Sequence, residues 1–129
     1  MIQSNAFNYI NVLDRAADAS YTRETIIANN IANADTPNYK RQDIEFADVL
    51  ENKLLSTQYS DINDAVRNVD TSKLIGVQYT DYAGYSYRID ENNVDIDTEN
   101  VELASEQLRY QTEIQSVTMD FTRLKTVLQ

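Results

Sequence analysis

The 129-residue chain has no cysteine, no histidine and no tryptophan, with only two glycines and one proline. Lacking cysteine, it has neither a disulfide framework nor a thiol nucleophile. Lacking histidine as well, it is without the commonest general base and the usual zinc ligands. Two glycines leave no material for a phosphate-cradling loop. Positive charge is also scarce: 11 Lys and Arg stand against 21 Asp and Glu, for a net charge of −10. That balance disfavours nucleic acid and anionic membrane surfaces as partners. No apolar run approaches the length needed to cross a bilayer, so direct membrane insertion is not expected. Met1-Ile2-Gln3-Ser4-Asn5-Ala6-Phe7 lacks a basic start and a continuous apolar stretch, so a cleaved Sec-type signal is not expected either. The length fits one domain whose own core is only moderately stabilising. These absences favour a small interaction protein over an enzyme, with no catalytic residue, cofactor or metal.

What is present begins with Asn29-Asn30-Ile31-Ala32-Asn33-Ala34-Asp35-Thr36-Pro37-Asn38-Tyr39-Lys40. Upstream, Ile27, Ala28, Ile31 and Ala32 keep one-face helical spacing, so the backbone is expected to be helical through Asn29 and Asn30. Asn33 is suited to the left-handed conformation that ends helices, and Asp35 and Thr36 offer short side chains that compete for backbone N–H groups. Pro37 completes the break, lacking a donor and pushing Thr36 out of the helical region. Ile44 and Phe46 then alternate with acidic residues, as in a short extended segment. The plain reading is a helix end and a loop. Three amides within five residues exceed what one helix end can use, however, which points to a contact surface.

Two seams frame the chain. Ala6, Ile10, Leu13, Ala17, Ser20, Glu24, Ile27, Ile31 and Ala34 step by threes and fours, with Ser20 and Glu24 as interruptions. Leu103, Gln107, Tyr110, Ile114, Val117, Phe121, Leu124 and Leu128 form a longer, coiled-coil-like stripe. Asp97 is the expected N-cap of this second helix, Glu99 and Glu102 suit its positive end, and Arg123 and Lys125 suit its negative end. The expected fold is mainly α, its long N- and C-terminal helices packed as an antiparallel coiled-coil-like pair. The divisions are residues 1–41 for the first helix and corner, 42–97 for an irregular middle, and 98–129 for the last helix. Val101, Leu108 and Val127 lie off one seam, and Phe7, Tyr21 and Ile26 off the other, so these residues need further partners.

In the middle, Phe46, Val49, Leu50, Leu54 and Leu55 read as a short helix or an arm packing back on the core. Ser56 to Ser72 is polar and reads as a mobile connection. Leu74 to Tyr79 and Tyr85 to Ile89 alternate around Asp81-Tyr82-Ala83-Gly84 as a small β-hairpin would. Tyr79, Tyr82, Tyr85 and Tyr87 form either a contact patch or the cover of that sheet.

The acids are the remaining candidates for chemistry. Asp95, Asp97, Glu99 and Glu106 have the 1, 3, 5, 12 spacing of a calcium loop, but Asn100 replaces the turn glycine and the helix begins inside the loop. Paired carboxylates such as Asp61 and Asp64 have nothing around them that marks a pocket, so solvated acidic surface is the better reading.

The stretch Ala28 to Lys40, extended by Asp43-Ile44-Glu45-Phe46, resembles the amino-terminal signature of bacterial flagellar rod, hook and hook-associated axial proteins, most closely the basal-body rod protein family. Asn92-Asn93-Val94-Asp95-Ile96-Asp97, Leu108-Arg109-Tyr110-Gln111, Phe121 and Leu124 resemble its carboxy-terminal helix region. The chain departs from that pattern at Asn38 and Glu91, where the family usually has glycine. The resemblance implies a structural subunit of the proximal rod, whose paired helices pack into the axial tube that transmits torque and surrounds the export channel. It implies export through the flagellar type III apparatus without a cleaved signal. The implied partners are other rod proteins and the rod-to-membrane-ring junction protein, in homo- and hetero-oligomeric assembly. Its expected interaction motif is Asn29, Asn30, Ile31, Asn33, Asp35, Thr36, Pro37 and Tyr39, and its packing seam Leu103, Tyr110, Ile114, Val117, Phe121, Leu124 and Leu128. The alternative is a soluble helical adaptor or export-linked regulator that binds axial proteins without joining the tube.

Overall fold

The structure, a computed structural model, describes residues 7–56, 58–82 and 88–129. Its frame is the expected pair of terminal helices: α1, Asn8–Ala32 (25 residues), and α4, Ile96–Val127 (32 residues). At 1.5 Å per residue they run about 37 and 48 Å. They lie antiparallel. Asn30 near the end of α1 bonds Glu99 in the first turns of α4, Arg23 meets Glu106, and Ile10 lies beside Leu124 and Val127. Ile10, Ala17, Ser20, Ile27 and Ala34 of the α1 seam are buried, while Ala6 lies outside the described residues.

Between the helices the chain forms β1 (Gln42–Glu45), α2 (Ala47–Leu55), α3 (Ile62–Asn68), a 3-10 turn (Thr71–Lys73) and β2 (Val77–Thr80). These cover a second face of α1. Ala19, Phe46, Val69 and Leu74 form a small core there, with Val12, Ala16, Leu50 and Leu54 packed against it. Ile26 is therefore buried within this chain, where the seam reading left it in need of an outside partner. Phe46, Leu50 and Leu54 do pack back on the core, as a short helix.

Ser56 to Ser72 is not a plain mobile connection, since it holds α3 and the 3-10 turn and buries Ala65, Val66, Val69 and Thr71. The acids read as loop polarity are helix caps: Asp61 accepts from the Asn63 N–H at 3.0 Å and Asp70 from the Ser72 N–H at 3.2 Å. Val77–Thr80 pairs antiparallel with Gln42–Glu45, in the register Gln42 with Thr80 and Glu45 with Val77. Of the expected second strand, Tyr85 to Ile89, the first three residues lie outside the described residues, among them Tyr85 and Tyr87 of the tyrosine patch. Gly76 permits the pairing that forms, because a Cβ there would lie 2.5 Å from Ile44 Cδ1. Asp95, not Asp97, caps α4, its carboxylate accepting from the Asp97 N–H at 3.1 Å and the Thr98 N–H at 3.4 Å.

Both departures from the family pattern have left-handed backbone, Asn38 at φ 60° and Glu91 at φ 59°. They belong to adjoining turns: the Asn38 N–H donates to Asp90 O at 2.7 Å, and Lys40 Nζ donates to Glu91 O. Asn tolerates this region, whereas Glu carries a steric cost of about 1–2 kcal/mol. Glycine would remove that cost and return part of it as unfolded-chain entropy. Glu91→Gly is therefore expected to stabilise the chain by about 0.5 kcal/mol, read as a higher urea midpoint at unchanged m-value, and Asn38→Gly to change it by less than that.

Candidate functional site

The Asn-rich corner and the late Asn92–Asp97 segment, 50 to 60 residues apart in sequence, fold into one polar joint at the end of α1. Asn30 is at its centre, with no exposed surface. Its Nδ2 donates to Gln42 O at 2.7 Å and to Glu99 Oε2 at 3.0 Å. Its Oδ1 accepts from the Gln42 N–H at 3.0 Å and from the Tyr39 hydroxyl at 3.1 Å. The amide thus uses all four of its hydrogen-bonding positions. It meets both backbone groups of Gln42 as a neighbouring strand would, fastening the outgoing β1 to the helix it has just left.

The helix end itself is closed by other amides. Asn33 stays at φ −102°, not the left-handed conformation expected of it; its Nδ2 donates to Asn29 O at 2.8 Å, and its Oδ1 accepts from the Thr36 hydroxyl at 3.1 Å. Asn92, also buried, donates from Nδ2 to Asn33 O and to Thr36 O, each at 2.9 Å. Asn93 links three strands of chain: its Oδ1 accepts from the Arg41 N–H and its Nδ2 donates to Asp81 O, both at 2.7 Å. Sidechain amides here do what a Gly-rich Schellman end does elsewhere, satisfying the last carbonyls of a helix.

Below the amides lies an ion-pair network. Arg23 reaches Asp43 at 2.8 Å, Glu106 at 2.7 Å and Glu102 at 3.0 Å. Arg41 holds Asp43 at 2.8 Å, Glu99 in a short contact and Asp81 at 3.6 Å. Asp43, Glu99 and Glu106 are all buried, so β1 turns its acid inward, against the expected alternation of apolar residues in and acids out. The hydrogen bond to Asp43 is the strongest influence on Arg23; burial opposes it, Glu106 adds to it, and the guanidinium is held above its ordinary value. Burial pulls Arg41 down, but its bonds to Glu99 and Asp43 outweigh this and raise it. Burial likewise pushes Asp43 up, yet bonds from Arg23, the Ile44 N–H and Arg41 together hold it below the ordinary aspartate range. Burial, then the charge of Glu99, raises Tyr39.

The calcium-loop acids are thereby accounted for. Asp95 is a cap, Asp97 lies in the first turn of α4, and Glu99 and Glu106 are tied to arginines. Nor is the interaction motif one surface: Asn30 is interior and Tyr39 half-covered, while Asn29, Asp35, Thr36 and Pro37 are exposed and Ile31 and Asn33 are intermediate. The network residues Arg23, Arg41, Asp43, Asn92 and Asn93 were not singled out from sequence as site residues. The available signal was matched seven-residue spacing, Arg23 and Asn30 on one helix facing Glu106 and Glu99 on the other.

The packing seam of α4 also divides. Leu103, Tyr110 and Val117 share the side turned to α1 and are half-covered, with the Tyr110 ring 6.1 Å from that of Tyr21. Ile114, Phe121, Leu124 and Leu128 remain exposed, Phe121 at 47% and Leu128 at 86%. The buried positions of α4 are Glu99 and Glu106, which lie beside the seam and not on it. Leu108 and Val101 on the far side are exposed at 66% and 70%. Among the described residues, no helix is long and apolar enough to cross a membrane.

Comparisons with known proteins converge on one family. The profile described as flagella basal body rod protein matches residues 10–40, which include most of the corner. The chain is 37% identical over 117 residues to the flagellar basal body rod protein FlgB of Bacillus subtilis (strain 168), covering 90% of this chain and 89% of that protein. It is 34% identical over 112 residues to FlgB of Borrelia hermsii (78% and 81% covered) and 32% identical over 114 residues to FlgB of Escherichia coli (strain K12) (83% of each). With that identity held along nearly the whole length of both chains, and with the two matched motifs closing into one joint, this chain belongs to the flagellar basal body rod protein FlgB family.

Proposed function

We infer that the chain works as a structural subunit of the proximal rod by presenting α4 to its neighbours in the axial tube. The observation that carries this is the exposed apolar surface of α4, from Val101 and Leu108 through Ile114 and Phe121 to Val127 and Leu128, on a helix whose buried positions are acids. Large apolar side chains left exposed at several points along one helix of a small acidic protein are surface for partners to bury. The joint holds α1, β1 and α4 at fixed angles, and the exposed corner residues Asn29, Asp35, Thr36 and Pro37 form a second contact at its tip. Neighbours bury both surfaces in a tube that carries torque and surrounds the export channel. The partners are other rod proteins and the rod-to-membrane-ring junction protein, and the chain reaches them through the type III apparatus.

The test is purification of hook–basal bodies from cells carrying an epitope-tagged copy. Recovery of the chain in that fraction is expected; its confinement to the cytosol would favour the adaptor reading. Phe121→Asp should leave the isolated chain folded, with a stability change under about 1 kcal/mol because the ring is half-exposed. The same change should abolish swimming and rod completion. Wild-type motility would remove Phe121 from the interface.

A further inference from the structure

On the side of the helix pair covered by the middle segment, Ala16, Phe46, Leu50, Leu54, Leu55 and Ile62 line an open apolar groove of about 330 Å³. Leu55 and Ile62 are each at least two-thirds exposed. Arg109 closes the α4 side and is held by Glu113 at 3.2 Å. The neighbouring rim is acidic: Glu51 lines the groove, and Glu45 and Asp48 lie close enough that the hydrogen bond and charge of Asp48 make Glu45 harder to ionise. At the far end of α4 the opposite arrangement appears. Leu124, Val127 and Leu128 are exposed, and beyond Asp120, which pairs with Arg123 at 3.1 Å, residues 121–129 carry Arg123 and Lys125 but no acidic side chain. In a chain of net charge −10, an acid-free apolar end and an acid-rimmed apolar groove are complementary.

Resting on the rod-subunit reading, we propose that the groove receives the α4 end of a second copy of this chain. Leu124, Val127 and Leu128 enter it, while Arg123 and Lys125 face Glu45, Asp48 and Glu51. Groove and insert are different surfaces, so the contact is heterologous and extends from copy to copy instead of closing on a dimer. Arg109 and Val127 are 18 residues apart on one helix, so successive copies are offset by about 27 Å along the axis. One small groove per contact makes each pair weak, and other contacts in the assembly add to it.

Since the chain has no cysteine, introduced thiols report the contact without background. Purified full-length Leu55→Cys and Leu128→Cys variants, mixed and oxidised, are expected to give at least about fivefold more disulfide dimer than either variant alone. Reversing Arg123 and Lys125 to Glu in the Leu128→Cys copy is expected to suppress the product, and Asp48→Lys with Glu51→Lys in the other copy to restore it. Thermal melts of each variant check that the fold is retained. Absence of unlike dimers, like pairs as abundant as unlike ones, or yields indifferent to charge would overturn the proposal. In flagellated cells, a chain carrying both cysteines should give a disulfide ladder in purified basal bodies. Basal bodies that contain the chain without a ladder would overturn this contact and leave the rod reading standing, whereas absence of the chain from basal bodies would overturn both.

Discussion

Asn30→Leu is expected to lower the stability of the isolated chain by about 3–4 kcal/mol, and Asn30→Asp by at least as much at neutral pH. The isosteric leucine removes four hydrogen bonds and leaves the Gln42 N–H and carbonyl and the Tyr39 hydroxyl without partners at a position with no access to water. It also takes a donor from the Glu99 carboxylate, which is itself buried. A buried group left unsatisfied costs about 1–3 kcal/mol, and several such groups with partial relaxation reach the stated range. Aspartate is worse in kind, because it turns the donor that faces Glu99 and the Gln42 carbonyl into a second acceptor. Urea unfolding of wild type and both variants measures the effect. A loss below about 1 kcal/mol would show that Asn30 is not the fastening point of β1. A rod-assembly defect in this variant would therefore report loss of the joint, whereas one in Phe121→Asp, whose ring is half-exposed, reports loss of a contact.

The contrast shows why part of the structure is legible in sequence and part is not. The terminal helices, the helix break and the short helix after Phe46 follow from spacing and local turn chemistry, which act over a few residues. The destinations of the side chains at the joint do not. Three amides within five residues announce a surplus of hydrogen-bonding capacity, but Asn30 turns inward only because β1 returns past it and Glu99 arrives from 69 residues away. The strand pairing of Val77–Thr80 with Gln42–Glu45 is not legible for the same reason: the two segments lie more than 30 residues apart and meet only because the joint holds β1 in place. On α4, apolar spacing identified a stripe of two columns, and only the column shared with Leu103, Tyr110 and Val117 turns toward α1. The other stays exposed, an outcome no period in the sequence distinguishes from a core.

Arg23→Met is expected to destabilise the chain by about 3–5 kcal/mol at pH 7, the range for removing one partner of a buried ion pair. Methionine keeps much of the volume but leaves Glu106 without its close cation and Asp43 with Arg41 alone. The pH dependence identifies the cause. In the wild type, Asp43 is held below its ordinary value in the folded state, so its contribution is fully present above the unfolded-state value of about 4 and is lost as pH falls through the lower, folded one. Without Arg23 the desolvation that already pushes Asp43 upward loses its main opposition. Folding of the variant then takes up protons, so its stability rises, relative to wild type, as pH falls from 7 toward 4. The difference between the two proteins should shrink by more than half over that interval, measured by urea unfolding at matched ionic strength. A deficit that stays constant with pH would assign Arg23 to packing along α1 rather than to holding buried charge. A deficit that shrinks with falling pH would also separate it from Asn30, whose replacement by leucine removes neutral hydrogen bonds along with a single donor to Glu99 and should show the weaker pH dependence.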